Sequence, residues 1–194
     1  PGRARRRRPR VIATDALTAA ARALAAAGID EPLREARILA RPAADEAAFE
    51  SFVARRERRE PVAYILGRKE FWSLDFEVTP AVLIPRPDSE TLIEAALGEF
   101  KASPPARIFD LGVGSGCLLI ALLTEWSKAH GLGLDISEAA LAVARRNALR
   151  HRVADRSEFN LGDWGDGLRE RFDLIVANPP YVADDVYARL APDI

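Results

Sequence analysis

The sequence predicts an α/β protein in which a parallel sheet follows a small all-helical region. Three observations predict it. From Ala106 onward, short apolar strands alternate with helices, the pattern of a parallel sheet with crossover connections. A glycine-rich stretch, Gly112–Gly116, falls where a strand gives way to a helix. Before residue 60 the apolar residues recur at helical spacing and strands are lacking.

The first ten residues carry six Arg and no acid, leaving 22 basic against 29 acidic residues in the remainder. Residues 1–13 are therefore expected to be a basic arm, able to touch RNA weakly through counterion release. A first helix is predicted from a Thr14 or Asp15 cap to Gly28, a second over Glu31–Ala40 and a third over Ala44–Arg59. Residues 14–66 then form a helical domain too small to bury a large core alone. Glu70-Phe71-Trp72 and Phe76-Glu77-Val78, around Ser73-Leu74-Asp75, predict a β-hairpin that serves as a linker over 67–86. Pro85 and Pro87 argue against helix there, and Asp88 or Ser89 can cap a helix running to about Phe100.

Within 87–194 the expected strands are Arg107–Asp110, Gly131–Leu134, Ser157–Asn160 and Phe172–Val176, with helices over Cys117–Trp126 and Glu138–Arg150. Four strands leave a sheet edge that needs covering, so this domain is expected to be C-terminally incomplete. The absence of any Met likewise suggests that the gene encodes residues outside these 194.

Composition excludes several classes. The longest apolar run, Cys117–Leu123, is too short to cross a bilayer, and no secretory signal precedes Thr14. Cys117 is the single cysteine, which excludes an internal disulfide and the zinc-ligand patterns and fits a cytoplasmic location. It reads as a small buried hydrophobe.

Two motifs carry chemistry. In Asp110-Leu111-Gly112-Val113-Gly114-Ser115-Gly116, the glycines allow a sharp turn and close approach of a ligand to free helix N–H groups. Asp135 lies 19 residues beyond Gly116, where a carboxylate can hold both hydroxyls of a ribose. This pair suits a dinucleotide or S-adenosylmethionine (SAM). The spacing is G-x-G-x-G rather than the dinucleotide fingerprint, and Asp110 opposes a pyrophosphate but suits the ammonium of SAM. The second motif is Asn178-Pro179-Pro180-Tyr181, directly after an apolar strand. The Asn178 side-chain oxygen and the Pro179 carbonyl can accept both hydrogens of a planar NH₂ group, and Tyr181 can stack on it. Asp163-Trp164 follows the third strand, and Trp164 can flank adenine. No protein nucleophile or metal is required, because orienting the nitrogen against a sulfonium methyl supplies much of the rate. His130 and His151 are expected at the surface without a role.

The segments Pro61-Val62-Ala63-Tyr64-Ile65-Leu66-Gly67, Glu70-Phe71-Trp72 and Leu83-Ile84-Pro85-Arg86-Pro87-Asp88-Ser89-Glu90 resemble the signature stretch of the HemK-type protein-(glutamine-N5) methyltransferases of class-1 peptide chain release factors. Gly112–Gly116 and Asn178–Tyr181 are similar to that family's cofactor and substrate motifs. The resemblance implies a helical domain that recognises the release factor, a hairpin linker and a seven-stranded Rossmann-like SAM-dependent methyltransferase domain. It further implies methylation of the Gln in a Gly-Gly-Gln loop. Gly112–Gly116, Asp135 and Trp164 would bind SAM, Asn178 would lie between SAM and the amide, and Pro179, Pro180 and Tyr181 would complete the clamp. Three other readings fit the motifs: a ribosomal-protein glutamine methyltransferase, an amino-methyltransferase acting on adenine or guanine, and a SAM-binding module without catalysis.

Overall fold

The computed structural model describes residues 12–163, 165 and 168–179. The arm of residues 1–11, Trp164, Pro180 and Tyr181 lie outside the described residues. The chain separates after Leu66 into two compact units.

The first unit holds four helices, α1 (Thr14–Ala26), α2 (Pro32–Ala40), α3 (Glu46–Glu57) and α4 (Val62–Leu66). Its core is formed by Leu24, Ile29, Leu39, Phe49, Val53 and Ile65, together with Ala20, Ala36 and Ala43. The cap of α1 is Ala13, not Thr14 or Asp15, and it makes no side-chain bond. Thr14 is already helical, and its carbonyl accepts from the Thr18 hydroxyl. By contrast α3 is capped by Asp45, whose Oδ1 accepts from the Ala48 N–H at 2.9 Å. Arg56, 6% exposed, donates to the Glu35 carboxylate at 2.6 Å. Arg55 pairs with Glu60 and also reaches the carbonyls of Tyr64 and Ile65, which gather α4 onto α3. The Glu60 hydrogen bond raises the Arg55 pKa against the opposing effect of burial.

The second unit begins with an antiparallel hairpin, β1 (Arg68–Phe71) and β2 (Leu74–Glu77). Phe71 pairs with Leu74, so the turn is Trp72-Ser73, and Leu74 and Asp75 belong to the second strand rather than to the loop. Both turn residues have positive φ, 51° and 58°, as a type I′ turn demands, although neither is Gly, Asn or Asp. Two carboxylates hold it: Glu90 accepts from the Trp72 backbone N–H at 2.8 Å, and Glu125 from the indole N–H at 2.7 Å. The Pro85–Asp88 stretch is not free of helix, since Pro87–Ser89 forms a 3-10 turn leading into α5 (Glu90–Glu99). Proline is compatible there because it occupies the first helical position, where its missing N–H has no partner to lose.

The parallel sheet contains β3 (Arg107–Leu111), β4 (His130–Asp135), β5 (Ser157–Leu161) and β6 (Leu174–Ala177) in the order β5-β4-β3-β6. Helices α6 (Cys117–Glu125) and α7 (Glu138–Arg150) connect the first three. Among the described residues, Leu118–Leu123 of α6 are all buried, and Ile93, Ile108, Leu141, Phe159 and Val176 join them in one core. Gly131 and Gly133 make room for this packing. A Cβ at Gly131 would come within 2.6 Å of Leu119, and one at Gly133 within 2.7 Å of Val113. Among the described residues no helix is long and apolar enough to cross a membrane.

Candidate active site

The sheet order determines where a ligand can sit. The chain runs outward from β3 to β4 to β5, then returns to place β6 on the other side of β3. Ligands of open α/β sheets bind beyond the strands' carboxyl ends at such a reversal. Leu111, the last residue of β3, pairs with Ala177, the last of β6. Gly112 and Asn178 therefore leave neighbouring strands side by side, roughly 5 Å apart.

The loop after β3 is shaped by its glycines. Gly112, Gly114 and Gly116 have φ of 72°, 52° and 80°, in the left-handed region where a side chain is strained. A Cβ at Gly116 would also lie 2.8 Å from Ile120, whereas Gly112 faces open space. The N–H groups of Gly112 and Val113 both donate to the Leu134 carbonyl. Asp135 then grips the loop directly: its Oδ2 accepts from the Gly114 N–H and its Oδ1 from the Ser137 N–H, each at 2.9 Å. A carboxylate has about four acceptor directions, so Asp135 keeps capacity for a ligand while fixing the loop beside it. Behind the loop, the fully buried Asn147 donates to the Ser115 and Glu77 carbonyls and accepts from the Glu77 N–H. It thereby ties the hairpin to the glycine loop from a helix 70 residues beyond Glu77 in sequence.

Asp110 lies beneath this loop, 1% exposed, and among the described residues neither carboxylate oxygen has a hydrogen-bond partner. Burial pushes its pKa up to about 7, against the pull of the Leu119 backbone N–H, and the charge of Asp135 adds to the rise. A cationic ligand group above it would relieve that penalty. Cys117 opens α6 and is half-buried; desolvation pushes its thiol up to about 12, which leaves no thiolate at neutral pH.

Asn178 and Pro179 follow β6 directly, and the Asn178 Nδ2 donates to the Ser89 hydroxyl oxygen at 2.9 Å. Ser89 thus accepts from a residue across the site and makes no cap bond to α5. Asp163 is exposed, two residues past β5, and the intervening Gly162 donates its N–H to the Asp135 carbonyl. All the described candidate residues thus emerge at one end of the sheet. Two that sequence reasoning passed over are Ser89, visible only as a cap candidate, and Ile136. Ile136 is 75% exposed immediately after Asp135, and a large apolar side chain left open beside a ligand-type carboxylate was the signal.

A parallel sheet with a glycine loop after one strand, an acid after the next and an Asn-Pro turn at the reversal is the arrangement of a nucleoside-binding α/β domain, and residues 89–191 match the Methyltransferase small domain family. Residues 40–67 match the PrmC N-terminal domain. Three relatives named release factor glutamine methyltransferase align along most of the chain. The one from Cereibacter sphaeroides is 48% identical across 94% of this chain and 70% of its own. That from Rhodospirillum rubrum is 43% identical across 88% and 58%, and that from Caulobacter vibrioides 40% across 92% and 68%. The chain belongs to the release factor glutamine methyltransferase family.

Proposed function

We propose that this protein transfers the methyl group of SAM to the side-chain amide nitrogen of the Gln in a Gly-Gly-Gln motif of class-1 peptide chain release factors. The observation that carries the reading is the register of β3 and β6, which brings Asn178 out beside Gly112. Family membership supplies the substrate class.

The residues present fit SAM. The carboxylate of Asp110, without a hydrogen-bond partner among the described residues, suits its ammonium, Asp135 its ribose hydroxyls, and Ile136 gives an apolar surface for adenine. Gly112, Val113, Gly114, Ser115 and Gly116 form the cradle, with Asp163 and Trp164 assigned to its third edge from sequence. When bound, SAM provides a methyl group on a sulfonium leaving group. The chain's own task is orientation. Asn178 Oδ1 and the Pro179 carbonyl accept the two amide hydrogens, raising electron density on a weakly nucleophilic nitrogen, while Pro180 and Tyr181 complete the clamp. The amide nitrogen held by Asn178 and Pro179 would take the methyl group that SAM supplies and would give up one hydrogen as a proton to solvent.

The helical unit of residues 14–66 is assigned to release-factor recognition and residues 67–86 to the link between domains. Asn178→Ala is expected to abolish methyl transfer to a release factor while SAM binding, measured by calorimetry, survives. Near-wild-type transfer would remove the clamp from the mechanism. Offering release factor, ribosomal protein and RNA side by side with labelled SAM separates the protein substrate from the nucleic-acid alternative.

A further inference from the structure

We propose that Ser89 is a positioning residue for methyl transfer, acting through its hydrogen bond to Asn178; this rests on the function proposed above. An asparagine amide has almost the same shape after a half-turn about its last bond, so only hydrogen bonds decide which atom faces a ligand. The transfer needs Oδ1 toward the substrate, because Nδ2 would set donor against donor. In the structure Nδ2 donates to Ser89 Oγ at 2.9 Å, leaving Oδ1 as the acceptor for the substrate.

Ser89 is placed firmly enough to hold the Asn178 side chain in position, and the observed contact through Nδ2 is the one that leaves Oδ1 free. It is 8% exposed, and its own N–H donates to the Arg86 carbonyl at 3.0 Å. It leads into α5, whose Ile93 and Ala96 are anchored in the core of this unit. The next residue, Glu90, holds the Trp72 N–H of the hairpin turn. Asn178, by contrast, follows a four-residue strand in a loop, so the rigid partner is Ser89. Residues 89 positions apart are thereby joined into one unit, and the Ser hydroxyl has a role that helix capping does not explain.

The test compares Ser89→Ala, Ser89→Thr and Asn178→Ala in the intact protein, reading kcat, KM for a release factor, and SAM affinity by calorimetry. Ser89→Ala is expected to lower kcat about tenfold, the scale of one lost orienting hydrogen bond, with SAM affinity and release-factor KM within twofold of the parent. Ser89→Thr restores the hydroxyl and is expected to recover most of kcat. The inference is overturned if Ser89→Ala keeps parental kcat, if kcat falls only in step with SAM affinity, or if Thr is no better than Ala. If instead Asn178→Ala itself retains transfer, the functional reading fails, not merely the contribution of Ser89.

Discussion

In the helical unit the buried guanidinium of Arg56 meets the Glu35 carboxylate at 2.6 Å; in the α/β unit the buried carboxylate of Asp110 has no hydrogen-bond partner among the described residues. Both charges lie almost wholly out of water, where an ion without a partner is costly. The first arrangement closes on itself and ties α2 to α3, so it serves the fold. The second has no hydrogen-bond partner among the described residues and lies under a glycine loop with open space at Gly112, the arrangement that the proposed SAM site requires. Under the proposed function, partner status, more than burial, separates the structural charge from the ligand-binding one.

The sharpest way to break this comparison is to remove the charge of Asp110. Its folded pKa of about 7 lies above the ordinary carboxylate value. The group therefore contributes stability that is fully present below about pH 4 and is lost as pH rises through about 7, on the order of 4 kcal/mol in all. Asp110→Asn cannot titrate. Denaturant melts should show the ligand-free variant gaining on the parent as pH rises from 4 to 8, while its SAM affinity falls. A parent-like slope across that interval would mean that another group titrates, and Asp110 would lose its distinction from Arg56.

The opposite outcome is expected for the closed pair. Glu35→Ala leaves the Arg56 guanidinium buried without the Glu35 carboxylate, a loss of about 3 kcal/mol by urea melting. SAM affinity should not move, because Glu35 belongs to the other unit. A change in SAM binding comparable to the stability loss would contradict the structural assignment of this pair.

How far the sequence discloses these features depends on how local their causes are. The span Glu138–Arg150 is legible to the residue, because its apolar spacing is contained within it and its cap, Ser137, directly precedes it. The glycine loop and the four parallel strands are legible for the same reason. The hairpin turn is not: Trp72 and Ser73 carry no turn signal, and their positive φ is held by Glu90 and Glu125, which lie 18 and 53 residues away from Trp72. Asp135 reads as a ligand carboxylate, but its grip on Gly114 depends on how β3 and β4 pair. Ser89 reads as a cap because serine before a helix commonly is one; its bond to Asn178 exists only once β6 lies beside β3.

The smallest effect tests whether a locally legible feature also acts locally. Asp45 caps α3 through the Ala48 N–H at 2.9 Å. Asp45→Ala should lower stability by about 1 kcal/mol in urea melts, and Asp45→Asn, which keeps an acceptor, should recover most of it. Because α3 also carries Arg56, weakening its first turn should leave the Arg56–Glu35 pair intact at the other end. Combining Asp45→Ala with Glu35→Ala is then expected to give the sum of the separate losses within about 0.5 kcal/mol. A larger excess would mean that the cap and the ion pair stabilise the helix as one cooperative element, so that even the closed charge owes its placement to a residue three turns away.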